Sequence, residues 1–219
     1  MSYLPRTLIV CTAHREASRE THESMHACGE RGAYTFTSGG VSDTALARNI
    51  AFEKALKAAK ELSKEIIIFV DDDMAFLPDL AEKLAGEALA RHAPVSATYV
   101  LSSGNVAATC IRQGEGNWST HRWLTGLGML AIPAELLATL GEDSKSFATS
   151  HDGECRAFTW SGRVQGPDNV GMWFSEDYQF CHRLGGVMLL PMRAGHMKMV
   201  PLEPDDATLV AVDRGCKHD

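Results

Sequence analysis

The chain has 219 residues, a formal net charge of −7 and a hydrophobic content of 45 %, which is ordinary for one globular domain with a sizeable core. The acidic balance argues against broad electrostatic binding to nucleic acid or to an anionic membrane. No apolar run approaches membrane-spanning length, and the first residues lack the pattern of a signal peptide. We therefore expect a single domain in a cytoplasmic protein that has no membrane partner.

The first half of the chain alternates predicted strands and helices. In chain order these are a strand at 7–12, a helix or long loop at 13–32, a strand at 34–37, a helix at 44–62, a strand at 66–70, a helix at 78–92 and a strand at 97–101. Asp43 or Ser42 can cap the 44–62 helix, and Pro78 suits the first turn of the next one. This alternation predicts an α/β fold with a mostly parallel central sheet flanked by helices.

The second half of the chain is less regular. We predict mostly loop at 102–124, a strand at 128–132, a helix at 133–140, an irregular segment at 141–171, a helix at 176–184 capped by Ser175, and strands at 187–190 and 197–202. Such irregularity is expected of a region that builds a substrate cleft on the sheet. We expect this half to carry the acceptor side of any site.

The most informative segment is an apolar run, Ile66–Val70, followed at once by Asp71, Asp72 and Asp73. The run predicts a buried strand, and the acids then lie at its carboxyl end, where open α/β folds bind ligands. Three carboxylates this close repel one another unless a cation lies among them. Mg²⁺ and Mn²⁺ are commonly shared between carboxylates and phosphates. The segment predicts a metal-assisted phosphate site, with a solvated acidic turn as the alternative.

Four further motifs accompany this acid run. They are Ala47-Arg48-Asn49, the glycine-containing segment Thr125–Pro133, Glu176-Asp177 within Ser175–Cys181, and His196 within Ala194–Lys198. In this order, over roughly residues 8–202, the chain resembles the nucleotide-sugar-dependent glycosyltransferases of the GT-A fold, most like the inverting family 2 and its short relatives. The resemblance implies one GT-A-like domain over 1–219, with a nucleotide-sugar-binding half at about 1–100 and an acceptor half at about 101–219. It also implies Mn²⁺ or Mg²⁺ and a nucleotide-diphospho-sugar donor, foremost a UDP-sugar.

The resemblance assigns most of these residues to the donor. Asp73, Asp71 and His196 would hold the metal, with Asp71 also facing the ribose or base and Asp72 facing the sugar or metal. The other implied donor contacts are Thr12, His14 and Glu16 near the nucleotide base, Arg48 and Asn49 on the preceding helix, and Gly126 and Gly128 beside the sugar. Arg48 would pair with the diphosphate bidentately, or else is a helix-surface arginine. His196 is otherwise an ordinary loop or strand residue.

Asp177 is the predicted general base, because a carboxylate near the acceptor hydroxyl can take its proton during attack on the anomeric carbon. Glu176 would support it or bind the acceptor. The alternative is that both acids only favour the first turn of a helix. Trp118, Trp123 and Trp173 are candidates for stacking on a sugar or base, or are core residues.

Together these residues predict a metal-dependent glycosyltransferase that moves a sugar from a nucleotide diphosphate to a hydroxyl acceptor, with inversion inferred only from the Glu-Asp motif. One alternative is a metal-dependent nucleotidyltransferase, although the segment after the first strand, residues 11–16, has no glycine. Another is an inactive nucleotide-sugar-binding module, although Asp177 is present. The sequence leaves open the sugar, the oligomeric state and the acceptor, be it a protein, glycan, small molecule or modified nucleic-acid base.

Overall fold

A computed structural model describes residues 2–13, 16–99, 108–112, 122–149, 153–165, 171–197 and 201–202. The helices are α1 (Arg19–Glu30), α2 (Thr44–Glu61), α3 (Pro78–Arg91), α4 (Ala134–Glu142) and α5 (Glu176–Arg183). The strands are β1 (Thr7–Ala13), β2 (Tyr34–Gly39), β3 (Ile66–Asp71), β4 (Met74–Ala75), β5 (Val95–Thr98), β6 (Ala108–Arg112), β7 (Arg122–Thr125), β8 (Met129–Pro133), β9 (Ser146–Thr149), β10 (Gly153–Arg156), β11 (Gly162–Gln165), β12 (Gly171–Phe174), β13 (Met188–Arg193), β14 (Gly195–Met197) and β15 (Pro201–Leu202).

Six strands form the central sheet, in the order β13-β5-β8-β3-β1-β2. β1 pairs in parallel with β2 and β3, and β13 pairs in parallel with β5. β8 is antiparallel to both of its neighbours, β3 and β5. Five strands therefore run in one direction and β8 reverses. The prediction of an α/β fold with a mostly parallel central sheet flanked by helices is confirmed, and the arrangement is Rossmann-like.

Each face of the sheet has its own buried layer because β3 is apolar on both sides. Ile66, Ile68 and Val70 pack towards α1 and α3, whereas Ile67 and Phe69 pack towards α2, α4 and α5. This alternation follows the two-residue period of a strand, and burial on both faces explains the continuous apolar run. β3 is thus held in the centre of the sheet, and its last residue has a fixed position at the carboxyl end of the sheet.

An aromatic cluster fixes α2 and α5 over the same face of the sheet. The ring centroid of Phe52 on α2 lies 4.6 Å from that of Phe69 on β3 and 4.4 Å from that of Phe180 on α5. Burying a side chain of this size contributes about 1.5–3 kcal/mol. Phe52 therefore contacts both β3, through Phe69, and α5, through Phe180, so that α2 lies between the sheet strand and α5 in this cluster.

Local capping signals placed three helices correctly. The Asp43 carboxylate accepts a hydrogen bond from the N–H of Leu46 at 2.7 Å, and Ser175 Oγ accepts one from the N–H of Tyr178 at 3.5 Å. Pro78 opens α3 as expected. Within the described ranges, no helix is both long and apolar enough to cross a membrane.

The sequence predictions were wrong where short hairpins form. The predicted loop at 102–124 contains β6 and the start of β7, which pair antiparallel. The predicted irregular segment at 141–171 contains the hairpin β9–β10 and the strand β11, which pairs with β12 directly after this segment. Strands of four or five residues are too short to show a clear period, so tertiary pairing decides them. The strand expected at 97–101 lies at 95–98, and residues 100 and 101 fall outside the description.

Candidate active site at the carboxyl end of the sheet

The turn that carries the acids is held in place by main-chain contacts. The carbonyl of Asp72 accepts hydrogen bonds from the N–H of Ser18 at 2.6 Å and from Thr21 Oγ1 at 3.1 Å. The N–H of Asp71 donates to the carbonyl of Gly128 at 3.1 Å. The side chains of Asp71, Asp72 and Asp73 are half-buried. Because the first turn of α1 and the segment before β8 both fix this backbone, the three carboxylates are presented at one place.

Arg48 brings the two predicted halves of the site together. Its side chain is 6 % exposed, and Nη1 donates to Oδ1 of Asp71 at 3.0 Å. Nη2 lies 2.8 Å from Oδ1 of Asp177, and Nε lies 3.6 Å from Oε1 of Glu176. One guanidinium from α2 therefore joins the acid at the end of β3 to both acids in the first turn of α5. Arg48 is buried, so the helix-surface alternative is wrong.

These contacts leave polar atoms unsatisfied in the described part of the chain. Nε of Arg48 and Oδ1 of Asp177 are buried and have no hydrogen-bond partner. The 2.8 Å contact between Arg48 and Asp177 is therefore an ion pair that lacks hydrogen-bond geometry. Unsatisfied buried polar groups are costly and uncommon in folded proteins. Such groups at the carboxyl end of a sheet are characteristic of a site that binds a ligand or reacts, rather than of one that stabilises the fold.

The cluster has an excess of negative charge, which acts on the pKa of Asp177. Burial raises this pKa to about 7; Arg48 opposes the shift, whereas Asp71 and Glu176 add to it, and the N–H of Leu127 lowers it. Burial lowers the pKa of Arg48, but Asp177, Asp71 and Glu176 outweigh burial and hold that pKa above its ordinary value. Arg48 thus stays charged while Asp177 exchanges its proton near neutral pH.

Tyr99 occupies the space beside the two predicted donor glycines. A Cβ on Gly126 would lie 1.9 Å from the Tyr99 hydroxyl oxygen, and one on Gly128 would lie 2.6 Å from its ring. The N–H of Gly128 donates to that hydroxyl at 3.4 Å. Burial, with Asp71 and Asp177 nearby, raises the pKa of Tyr99 well above its ordinary value. Both glycines are explained by this close approach, and their contact with a sugar stays a prediction.

Asn49 ties α2 to the chain beside α5. Its Nδ2 donates to the carbonyl of Thr159 at 2.9 Å, and its Oδ1 accepts from the N–H of Thr159 at 2.9 Å. Thr159 Oγ1 in turn donates to the carbonyl of Glu176. Both polar atoms of the amide are thus engaged in positioning the first turn of α5. The contact of Asn49 with a donor stays a prediction.

The remaining predicted donor contacts are spread around the same sheet edge. Thr12 pairs with Asp71 in the β1–β3 register, and Glu16 is exposed a few residues later. His14 lies outside the described residues. Trp123 is buried, at 2 % exposure, which favours the core alternative for it. Trp118 and the side chain of Trp173 also fall outside the description, so their predicted stacking is untested.

Of the predicted metal ligands, the structure describes the side chains of Asp71 and Asp73 and only the main chain of His196. The main chain of His196 pairs with Met74, the residue after Asp73, but its side chain is outside the description. Among the side chains that the structure describes, no group of three or more His, Cys, Asp or Glu is arranged to hold a metal ion. The carboxylates of Asp71 and Asp73 are oxygen donors of the kind Mg²⁺ and Mn²⁺ prefer, so their chemistry fits the predicted ion.

Sequence reasoning missed Tyr99 and Thr159. Tyr99 follows the last residue of β5, the same strand-end position that drew attention to Asp71, so position alone could have suggested it. Thr159 had no such signal, because its role depends on Asn49, which is 110 residues away in the chain.

No family model matches the chain, and no curated protein does. Among solved structures, the chain is similar to A197 from STIV, with 15 % identity and a TM-score of 0.55 over 92 % of this chain and 95 % of that one. A protein from Bacillus anthracis assigned as a glucose-1-phosphate thymidylyltransferase, in complex with a sucrose, gives 10 % identity and a TM-score of 0.39 over 95 % and 73 % of the two chains. A glycosyltransferase involved in the glycosylation of the major capsid of PBCV-1 gives 12 % identity and a TM-score of 0.31. The match covers 61 % of this chain and 64 % of that one. The first similarity shows the fold alone, and the other two TM-scores are too low to carry an argument.

Proposed function

We propose that this protein is a metal-dependent glycosyltransferase that moves a sugar from a nucleotide diphosphate to a hydroxyl acceptor. The observation that carries this proposal is the cluster around Arg48, which contacts Asp71 at the end of β3 and Asp177 in the first turn of α5. Asp71, which is suited to hold a donor, and Asp177, which is suited to accept a proton, therefore contact the same guanidinium. From the resemblance, the donor is a UDP-sugar and the reaction inverts the anomeric centre.

Asp177 is the proposed general base. Its side chain is 20 % exposed, and its pKa of about 7 lies near neutral pH. A base whose pKa is close to the working pH combines a useful ionised fraction with a strong tendency to take a proton. Asp177 would receive the hydroxyl proton of the acceptor as that oxygen attacks the anomeric carbon.

The donor side is proposed to rest on the acids of the β3 turn. Asp73 and Asp71, with His196, would hold Mn²⁺ or Mg²⁺, and such an ion stabilises the charge that develops on a departing diphosphate. Asp72 would lie beside the ion or the sugar. Arg48 has three described side-chain contacts, all with carboxylates. We therefore assign Arg48 the role of positioning Asp177 relative to Asp71, in place of a direct contact with the diphosphate.

Two variants separate donor binding from proton transfer. Asp73→Asn should abolish the rise in melting temperature that a nucleoside diphosphate causes with Mn²⁺, because a ligand that binds only the folded state raises that temperature. Asp177→Asn should keep that rise and lose turnover by about 10²–10⁴-fold, the usual contribution of a general base. Asp79→Asn is the matched control, since Asp79 is an exposed acid, 81 % accessible, in the first turn of α3.

Other outcomes would assign the site differently. Full affinity for the nucleotide in chelator would remove the metal-dependent donor site. Formation of pyrophosphate from a nucleoside triphosphate and a sugar phosphate would favour the nucleotidyltransferase alternative. Donor binding without turnover for any acceptor class would make the protein a nucleotide-sugar-binding module.

A further inference from the structure

Trp160 is an exposed aromatic side chain in the segment that contacts the first residue of α5. It is 44 % exposed, whereas Trp123 is 2 % exposed. Tryptophan is usually among the more buried residues, because its indole removes a large apolar area from water. An indole that stays accessible in an ordered segment is therefore a candidate contact surface.

The segment around Trp160 is held rigidly. Nη1 of Arg183 donates to the carbonyls of Ala157 at 2.8 Å and Phe158 at 2.5 Å, and the guanidinium carbon lies 5.3 Å from the centroid of the Trp160 ring. Asn49 holds both main-chain polar groups of Thr159. The main chain before Trp160 is thus tied to α2 and α5, and Arg183 lies against the indole; such restraint reduces the entropy lost on binding.

Both chain neighbours of Trp160 contact the first residue of α5. Thr159 Oγ1 donates to the carbonyl of Glu176, and Ser161 Oγ donates to its Oε2 at 3.4 Å. Glu176 directly precedes Asp177. The segment that carries the accessible indole therefore contacts the residue directly before the proposed base, through the Thr159 and Ser161 hydroxyls.

We propose that Trp160 is a stacking platform for a sugar ring of the acceptor, and that the acceptor is a carbohydrate. This inference rests on the proposed function, since it takes Asp177 as the group that receives the acceptor's proton. A sugar ring offers an apolar C–H face to the indole and hydroxyl groups to Glu176 and Ser161, the mixture of apolar and polar contacts typical of small-molecule sites. The net charge of −7 and the nearby carboxylates disfavour a nucleic-acid acceptor.

The test measures glycoside binding without donor or metal. The probes are the methyl glycosides of glucose, galactose, mannose and N-acetylglucosamine, followed by saturation-transfer NMR and tryptophan fluorescence. At least one glycoside should bind, Trp160→Ala should weaken it by about tenfold or more, and Trp160→Phe should retain part of the affinity. Tyr34→Ala is the control, because Tyr34 on β2 has a similar exposure of 46 % and should have no effect.

Three results would overturn the inference. No glycoside binds; or one binds equally well to Trp160→Ala; or uridine or a threonine-containing peptide, but no glycoside, shows binding that depends on Trp160. Failure of the proposed function would give a different result. The parent protein would then show no metal-dependent nucleotide binding, while its glycoside binding would still depend on Trp160.

Discussion

Replacing Asp177 by asparagine should stabilise the protein at about pH 8 and change its stability little at about pH 4. Burial raises the pKa of Asp177 from 3.8 to about 7. A group whose pKa is raised in the folded state contributes stability below its unfolded pKa, and this contribution is lost as the pH rises through the folded pKa. The free energy of unfolding of the parent protein therefore falls as the pH rises above about 4. The variant lacks this loss, because asparagine does not ionise.

The size of the effect follows from the shift of the Asp177 pKa. A shift of about three units corresponds to about 4 kcal/mol between about pH 4 and pH 8, to order of magnitude. Asparagine is nearly isosteric and keeps an oxygen for the N–H of Leu127. Arg48 retains Asp71 and Glu176 as partners in the variant. The change therefore removes the ionisation with little other disturbance.

The measurement is urea unfolding of the parent and of Asp177→Asn, followed by circular dichroism in chelator across this pH range. The difference in the free energy of unfolding should grow as the pH rises. Asp79→Asn removes an exposed acid that forms a surface ion pair with Arg31; such pairs contribute about 0–1 kcal/mol, so this variant should show no such growth. A difference for Asp177→Asn that stays constant with pH would refute the claim that burial holds this carboxyl protonated, and would weaken its assignment as a base tuned to neutral pH.

Three further changes test the packing around the cluster. Gly126→Ala should lose about 1–3 kcal/mol of stability or more, as overpacked substitutions do, because its Cβ would lie 1.9 Å from the Tyr99 hydroxyl oxygen. Adding Tyr99→Phe should recover part of this loss in thermal unfolding. An absence of recovery would contradict the close approach. Arg48→Met should cost about 3–5 kcal/mol in urea unfolding near neutral pH, because it leaves buried carboxylates without their cation, and an unchanged stability would show that they are solvated. Asn49→Ala should cost about 1–3 kcal/mol through the lost hydrogen bonds to Thr159; calorimetry that instead finds weaker donor binding at unchanged stability would support the donor contact expected from the sequence.

Much of the fold was predictable because its signals are local. The run Ile66–Val70 is apolar at every position, as a strand buried on both faces requires, and it is too short and too rich in isoleucine for a buried helix; the acids after it lie at the strand's end. Asp43 and Ser175 each satisfy N–H groups within three residues, so the starts of α2 and α5 follow from neighbouring residues alone. These signals sufficed to place Asp71 and Asp177 on the elements that carry them.

The sequence by itself therefore determined the α/β class, the main helices and the acids at the end of β3 and the start of α5. Only the tertiary structure decided that β8 runs against its neighbours, and that Arg48 turns inward to join Asp71 to Asp177. It also decided that Tyr99 fills the space beside Gly126. The physical reason is separation along the chain: a cap or an apolar run acts within a few residues, whereas an ion pair or a close approach depends on where distant segments pack.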